Sequence, residues 1–145
     1  MPLPDTAPPS SEPAWSVDLG AWPVLDAAHA IALLDHSTAL YLEVARAFQS
    51  ELTELPARLG AILQAETSAS LRTLHTYKGL ALTVGAQQLS EVCRQCERML
   101  KAGAPVASDA SLQAAMRDSL EASIQATLAH LQSTLSALAD AQQKP

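Results

Sequence analysis

The run His75-Thr76-Tyr77-Lys78-Gly79 carries residue types that suit group transfer. A free imidazole titrates near pH ~6.5, so at neutral pH most of it is an uncharged nucleophile that needs no general base. Lys78 follows at i+3, close enough on a helix for its ammonium to neutralise the oxygens of a transferring phosphoryl group. Gly79, at i+4, removes the side chain that would crowd an incoming partner, at a helix cost of roughly 1 kcal/mol. An exposed helix position that bears this cost calls for a functional reason. The chemistry indicated is phosphoryl transfer on an imidazole.

That chemistry needs the run on a helix with His75 turned outward. The pattern predicts a helix from Thr67 or Ser68 to about Val84, closed by Gly85. At about 100° per residue, Leu74, Tyr77, Ala81 and Val84 group together as the buried side. His75 falls on the far side, with Lys78 and Gly79 near it on the exposed surface. Leu71 lies one turn before and Leu82 two turns after. Exposed leucines around a titratable group suggest a docking patch, with Leu71, Arg72 and Leu82 as its candidates.

Other reactive side chains lack such a setting. His29, His36 and His130 read as helix-surface or cap residues. Cys93 and Cys96 form a Cys-x-x-Cys pair, yet they fall on the apolar stripe of a helix, and no second ligand pair accompanies them. A redox motif of that type belongs at an exposed helix N-terminus in a βαβ context, so core packing is the expected role. No metal site, paired-carboxylate arrangement or phosphate-binding P-loop is read.

Around this helix the pattern sets out further elements. Six of the nine prolines fall within residues 1–23, which are expected to form a flexible leader or linker. Trp15, Val17, Leu19 and Trp22 are its apolar exceptions, as able to pack on the folded part as to stay free. A short helix is expected from about Asp26 to Leu34, with Asp26 as N-cap. The next runs from near Ser37 to about Leu63 on the stripe Leu40, Val44, Phe48, Leu52, Leu55, Leu59, Ile62, with Pro56 expected to kink or divide it. After Gly85, a helix over about residues 86–101 is expected to bury Leu89, Val92, Cys93, Cys96, Met99 and Leu100. Its other face would carry Glu91, Arg94, Glu97, Arg98 and Lys101. Gly103 and Pro105 end it. A long helix over about residues 108–139 follows, on the stripe Leu112, Met116, Leu120, Ile124, Leu128, Leu131, Leu135, Leu138.

The expected fold is all-α: an antiparallel four-helix bundle over residues 24–140 with a short extra N-terminal helix, and a disordered tail at 141–145. Composition agrees. Hydrophobic residues reach 48 % but aromatics only 3 %, and the dominant Ala and Leu are strong helix formers. The formal charge of −6 argues against nucleic acid, which calls for clustered Lys and Arg. No window approaches the roughly 18 consecutive apolar residues of a membrane span, and no secretory signal is read.

His75-Thr76-Tyr77-Lys78-Gly79, followed by Ala81 and then Gly85-Ala86, resembles the signature of histidine-containing phosphotransfer (HPt) domains. Leu89, Cys93 and Glu97 also fall where that family has a leucine, a small apolar residue and an acidic residue. The resemblance covers about residues 24–103 well and the final helix by pattern only. It implies a phosphoryl group accepted from a receiver-domain aspartate onto Nε2 of His75 and donated to another response-regulator receiver. It further implies Lys78 as the stabilising cation, Gly79 as the steric gap, and no kinase activity or nucleotide site. Leu82 stands where the family commonly has a small residue, and Thr83 where Asn or Ser is frequent.

The expectation is therefore a phosphocarrier of a two-component relay. Its partners are receiver domains and a sensor histidine kinase, it holds no cofactor of its own, and the receiver supplies Mg²⁺. A monomer is expected, in the cytoplasm, free-standing or as part of a membrane-bound hybrid kinase. The competing reading is a non-phosphorylated helical adaptor that binds through the same patch. A self-phosphorylating kinase module is weaker, since nothing here would fold as an ATP-binding domain.

Overall fold

The computed structural model describes residues 15–143. A 3-10 turn at Leu19–Ala21 precedes five α-helices: α1 (Ala27–Leu33), α2 (Thr38–Gln64), α3 (Thr67–Val84), α4 (Gln87–Lys101) and α5 (Ala110–Gln143). The described residues contain no strand, as the all-α expectation requires.

Short polar side chains start three of these helices. Asp26 accepts from His29 N–H, Ser37 from Leu40 N–H and Asp109 from Leu112 N–H, each satisfying a donor the first turn leaves unpaired. Gly85 ends α3 in the left-handed conformation at φ +87. A Cβ there would collide with the Asp26 carbonyl. Asp26 N–H in turn donates to Gly85 O at 2.8 Å, so the start of α1 is fastened to the end of α3. Asp35 and His36 take positive φ between α1 and α2, which makes His36 a turn residue rather than a helix-surface or cap one.

The core lies between α2, α3, α4 and α5, where Leu52, Leu59, Leu89, Met116, Leu120, Ile124 and Leu131 are fully buried. Each such side chain contributes about 1.5–3 kcal/mol of burial. Packing passes from α2 to α3, α3 to α4, α4 to α5 and back to α2, with α1 laid on α3 and α2. Pro56 does not divide α2, which runs as one helix through it. The buried stripe of Leu52, Leu55 and Leu59 on both sides outweighs one missing backbone donor.

The flexible leader expected over residues 1–23 is docked from Trp15 onward. Trp15, Val17 and Leu19 pack on the core. Trp15 Nε1–H donates to Ser119 Oγ at 3.1 Å. Gln88 of α4 holds the segment twice, its side chain donating to Leu19 O at 2.8 Å and its backbone to Pro23 O at 2.9 Å. At the other end α5 continues through Gln143, so residues 141–143 are helix rather than tail. The expectations for residues 1–14 and 144–145 lie outside the described residues. No helix among the described residues is long and apolar enough to cross a membrane.

Candidate functional site

Helix α3 presents two faces. Leu74, Tyr77, Ala81 and Val84 are buried, and Tyr77 O–H reaches Glu51 Oε2 at 3.3 Å. This fixes the rotation of α3 and turns His75 outward, with 71 % of its side chain exposed. Thr73, Thr76 and Thr83 bond back to the carbonyls of Ala69, Arg72 and Gly79. Their hydroxyls are thereby occupied within the helix itself.

Across from His75, helix α4 supplies a carboxylate. Glu97 is buried, with 4 % of its side chain exposed. Its Oε1 lies 2.9 Å from Lys78 Nζ; its Oε2 lies 3.5 Å from His75 Nδ1 and 3.8 Å from Lys101 Nζ. The Lys78 contact is out of hydrogen-bond alignment, so Oε1 accepts no hydrogen bond among the described residues. A buried carboxylate without charge partners costs several kcal/mol. Here three basic groups from two helices lie within 4 Å of it.

This arrangement corrects several expectations. Glu97 and Glu91 do not belong to an exposed face of α4: both are buried. Glu91 is tied down by Arg94 Nε and Nη2 at 2.8 and 2.7 Å and by Gln95 at 2.9 Å. The Arg94 guanidinium holds its carboxyl below the usual range. Lys78 does not stand free on the surface either. Its side chain is only 22 % exposed, folded against α4 by the attraction of Glu97.

The docking candidates separate as well. Leu71 is half-buried rather than exposed, because it packs against the core. With Arg72, Thr76, Lys101 and Glu97 it lines a shallow depression of about 370 Å³ around His75. Leu82 is 53 % exposed but lines a different depression, on the other side of Lys78. Gly79 is exposed, and a Cβ there would meet nothing within 4 Å. Among the described residues, nothing requires a glycine at that position.

Residues 43–141 match the family model for the Hpt domain. The chain belongs to the Hpt domain family. Searches of the curated proteins and of the solved structures returned no significant match. Hpt domains are phosphocarrier modules of two-component phosphorelays, and they interact with receiver domains and histidine kinases. The Hpt match takes in most of α2 and all of α3 and α4. It also covers nearly all of α5, beyond the residue 103 at which the motif resemblance fades. It leaves Trp15–Leu42 outside, including the docked segment and α1.

Glu97 is the site residue that assigning every charged residue of α4 to its outer face misses. Its position was legible all the same: 89, 93 and 97 repeat every four residues, which places it on the buried stripe with Leu89 and Cys93. A carboxylate on a buried stripe demands a cation, and Lys78 supplies it. Cys93 and Cys96 are free and buried in the Hpt core. Burial, and then the Glu97 charge, pushes the Cys93 thiol up to about 12, and Cys96 is raised well above its ordinary value. Among the described residues no group of His, Cys, Asp and Glu is arranged to hold a metal ion.

Proposed function

We propose that this Hpt domain accepts a phosphoryl group on His75 from the phosphoaspartate of one receiver domain and passes it to the aspartate of another. The observation that carries this reading is the position of Glu97. Its buried carboxylate faces Nδ1 of an exposed imidazole. A proton kept on Nδ1 beside that carboxylate leaves the Nε2 lone pair pointing away from the protein.

Nε2 then attacks the phosphorus in line. The N–P bond forms as the P–O bond to the receiver aspartate breaks, and the aspartate leaves as a carboxylate. No proton has to move. The imidazole ring becomes cationic as the N–P bond forms, and Glu97 offsets that charge through Nδ1–H. Lys78 and Lys101 flank the phosphoryl oxygens, and Gly79 leaves the approach open. The Mg²⁺ that stabilises such a transfer belongs to the receiver, and the work of this chain is positioning and electrostatics.

In this reading α2 to α5 form an antiparallel four-helix bundle that serves as a rigid mount for α3. The domain is a monomer that works in the cytoplasm, phosphorylates nothing from ATP itself, and takes its phosphoryl groups from a sensor kinase by way of receivers. The test is incubation with a phosphorylated receiver, following acid-labile label. Wild type takes up label and His75→Gln does not. A labelled His75→Gln protein overturns the assignment of His75. Receiver binding with no transfer from any receiver favours the adaptor reading instead.

A further inference from the structure

Among the described residues, five large apolar side chains are exposed: Trp22, Leu33, Leu40, Leu80 and Leu82. Three of them, Trp22 at 42 %, Leu33 at 69 % and Leu82 at 53 %, line one open depression of about 530 Å³. Its walls come from three places: the docked segment before α1, α1 itself and the C-terminal half of α3. Gln87, Ser90 and Glu91 at the start of α4 close the remaining side. Single exposed apolar residues on a soluble protein need no explanation, but three converging on one hollow mark a contact surface.

The position of the hollow names its occupant. Lys78 lines it and also reaches Glu97 beside His75, so the hollow adjoins the site around His75 with Lys78 between them. Leu82 is seven residues from His75, about 10 Å along the helix at 1.5 Å per residue. Any protein that brings an aspartate to His75 across the gap at Gly79 must therefore cover this hollow or approach it closely. Two of its apolar walls, Trp22 and Leu33, lie outside the part of the chain that matches the Hpt family.

From this geometry we propose that the hollow is the partner-selecting contact of this domain. It takes one large apolar side chain of the receiver, carried about 10 Å from the receiver's reactive aspartate. The inference rests on the receiver-transfer reading above and adds to it where discrimination resides. The residues that react are α3 and α4 residues within the matched region, whereas two of the three exposed apolar walls of the hollow, Trp22 and Leu33, come from residues 15–34.

The test is phosphotransfer from a panel of isolated, phosphorylated receiver domains to wild type, to Trp22→Ser/Leu33→Ser, and to Gln87→Trp. The last fills the hollow without removing an apolar side chain, which keeps the inference testable if the double variant folds poorly. Labelling of His75 by phosphoramidate, a small donor that needs no docking, is followed in parallel. With the best receiver, kcat/KM falls at least tenfold in both variants, through KM, and the ranking among receivers flattens. Phosphoramidate labelling stays within twofold of wild type. Transfer from the best receiver that stays within twofold in both variants overturns the inference and leaves the relay reading intact. Wild type that takes label from phosphoramidate but from no receiver overturns both.

Discussion

The ammonium of Lys78 and the carboxylate of Glu97 meet at 2.9 Å beneath the exposed ring of His75. One residue comes from α3 and the other from α4, so the contact both joins the helices and sets the charge around the imidazole. The same carboxylate faces Nδ1 at 3.5 Å. Glu97 is thus a positioning residue for the ring. Replacing it by Gln should lower the rate of His75 phosphorylation by about tenfold, the low end of what losing an orienting partner of a functional histidine costs. Nitrogen NMR of the ring provides the readout a merely structural role would not move. The wild-type ring is expected to favour the Nδ1–H tautomer, Glu97→Gln to shift toward a mixture, and Glu97→Asp to recover part of both effects.

Gly79 separates stability from function. A methyl group at this position meets nothing within 4 Å among the described residues. Gly79→Ala should therefore stabilise the fold by about 0.5–1 kcal/mol, the helix preference of Ala over Gly. Transfer from a phosphorylated receiver should fall at the same time. Thermal unfolding and receiver transfer, measured on one preparation, should move in opposite directions. A variant that gains stability and keeps full transfer would show that the gap has no role in access.

Tyr41 links α2 to the end of α3, donating its hydroxyl to Val84 O at 2.7 Å in the core. Tyr41→Phe should cost about 1–2 kcal/mol by leaving that carbonyl unpaired. Burial, with a smaller contribution from the Asp26 charge, pushes the Tyr41 hydroxyl up to about 12. A group whose value is raised on folding adds stability below its ordinary value of 10.0 and loses it as pH rises through the folded one. Denaturant midpoints of wild type should therefore fall between pH 10 and 12. Tyr77, also raised by burial and by Glu51, shares that window. The slope should be shallower in Tyr41→Phe but not absent.

Cys93 and Cys96 should be inert in the native protein. Both are buried, and both thiols are pushed up and away from the thiolate form that reacts. A disulfide reagent at pH 8 should modify neither until denaturant unfolds the chain, after which both should react. Fast modification of the native protein would mean that α4 opens locally.

Much of this architecture is legible in the order of residue types. Asp26, Ser37, Gly85 and Gly103 mark helix ends because each supplies a cap oxygen or a backbone conformation that other residues take poorly. The outward placement of His75 follows from the rotation that buries Leu74, Tyr77 and Ala81. Periodicity says less about side chains with two uses. Lys78 has an apolar stem and a charged tip, so an exposed helix position does not say where its ammonium goes; the answer depends on a carboxylate nineteen positions away. Leu71 is likewise read as exposed from α3 alone, and only its packing against the core leaves it half-buried beside His75. The docked segment is the least legible part. Its hold on the domain comes from Gln88 and Ser119, far away in sequence, and proline-rich surroundings mask the signal.

The junction at Gly85 has a consequence for how such a protein changes over generations. On the α3 side of it stand His75 and Lys78; on the Asp26 side, α1 and the segment before it build a wall of the hollow. Substitutions in that wall can accumulate without touching Glu97, Lys78 or His75. After a gene duplication, two copies could drift into separate circuits by altering the address while the reactive group stays as it is.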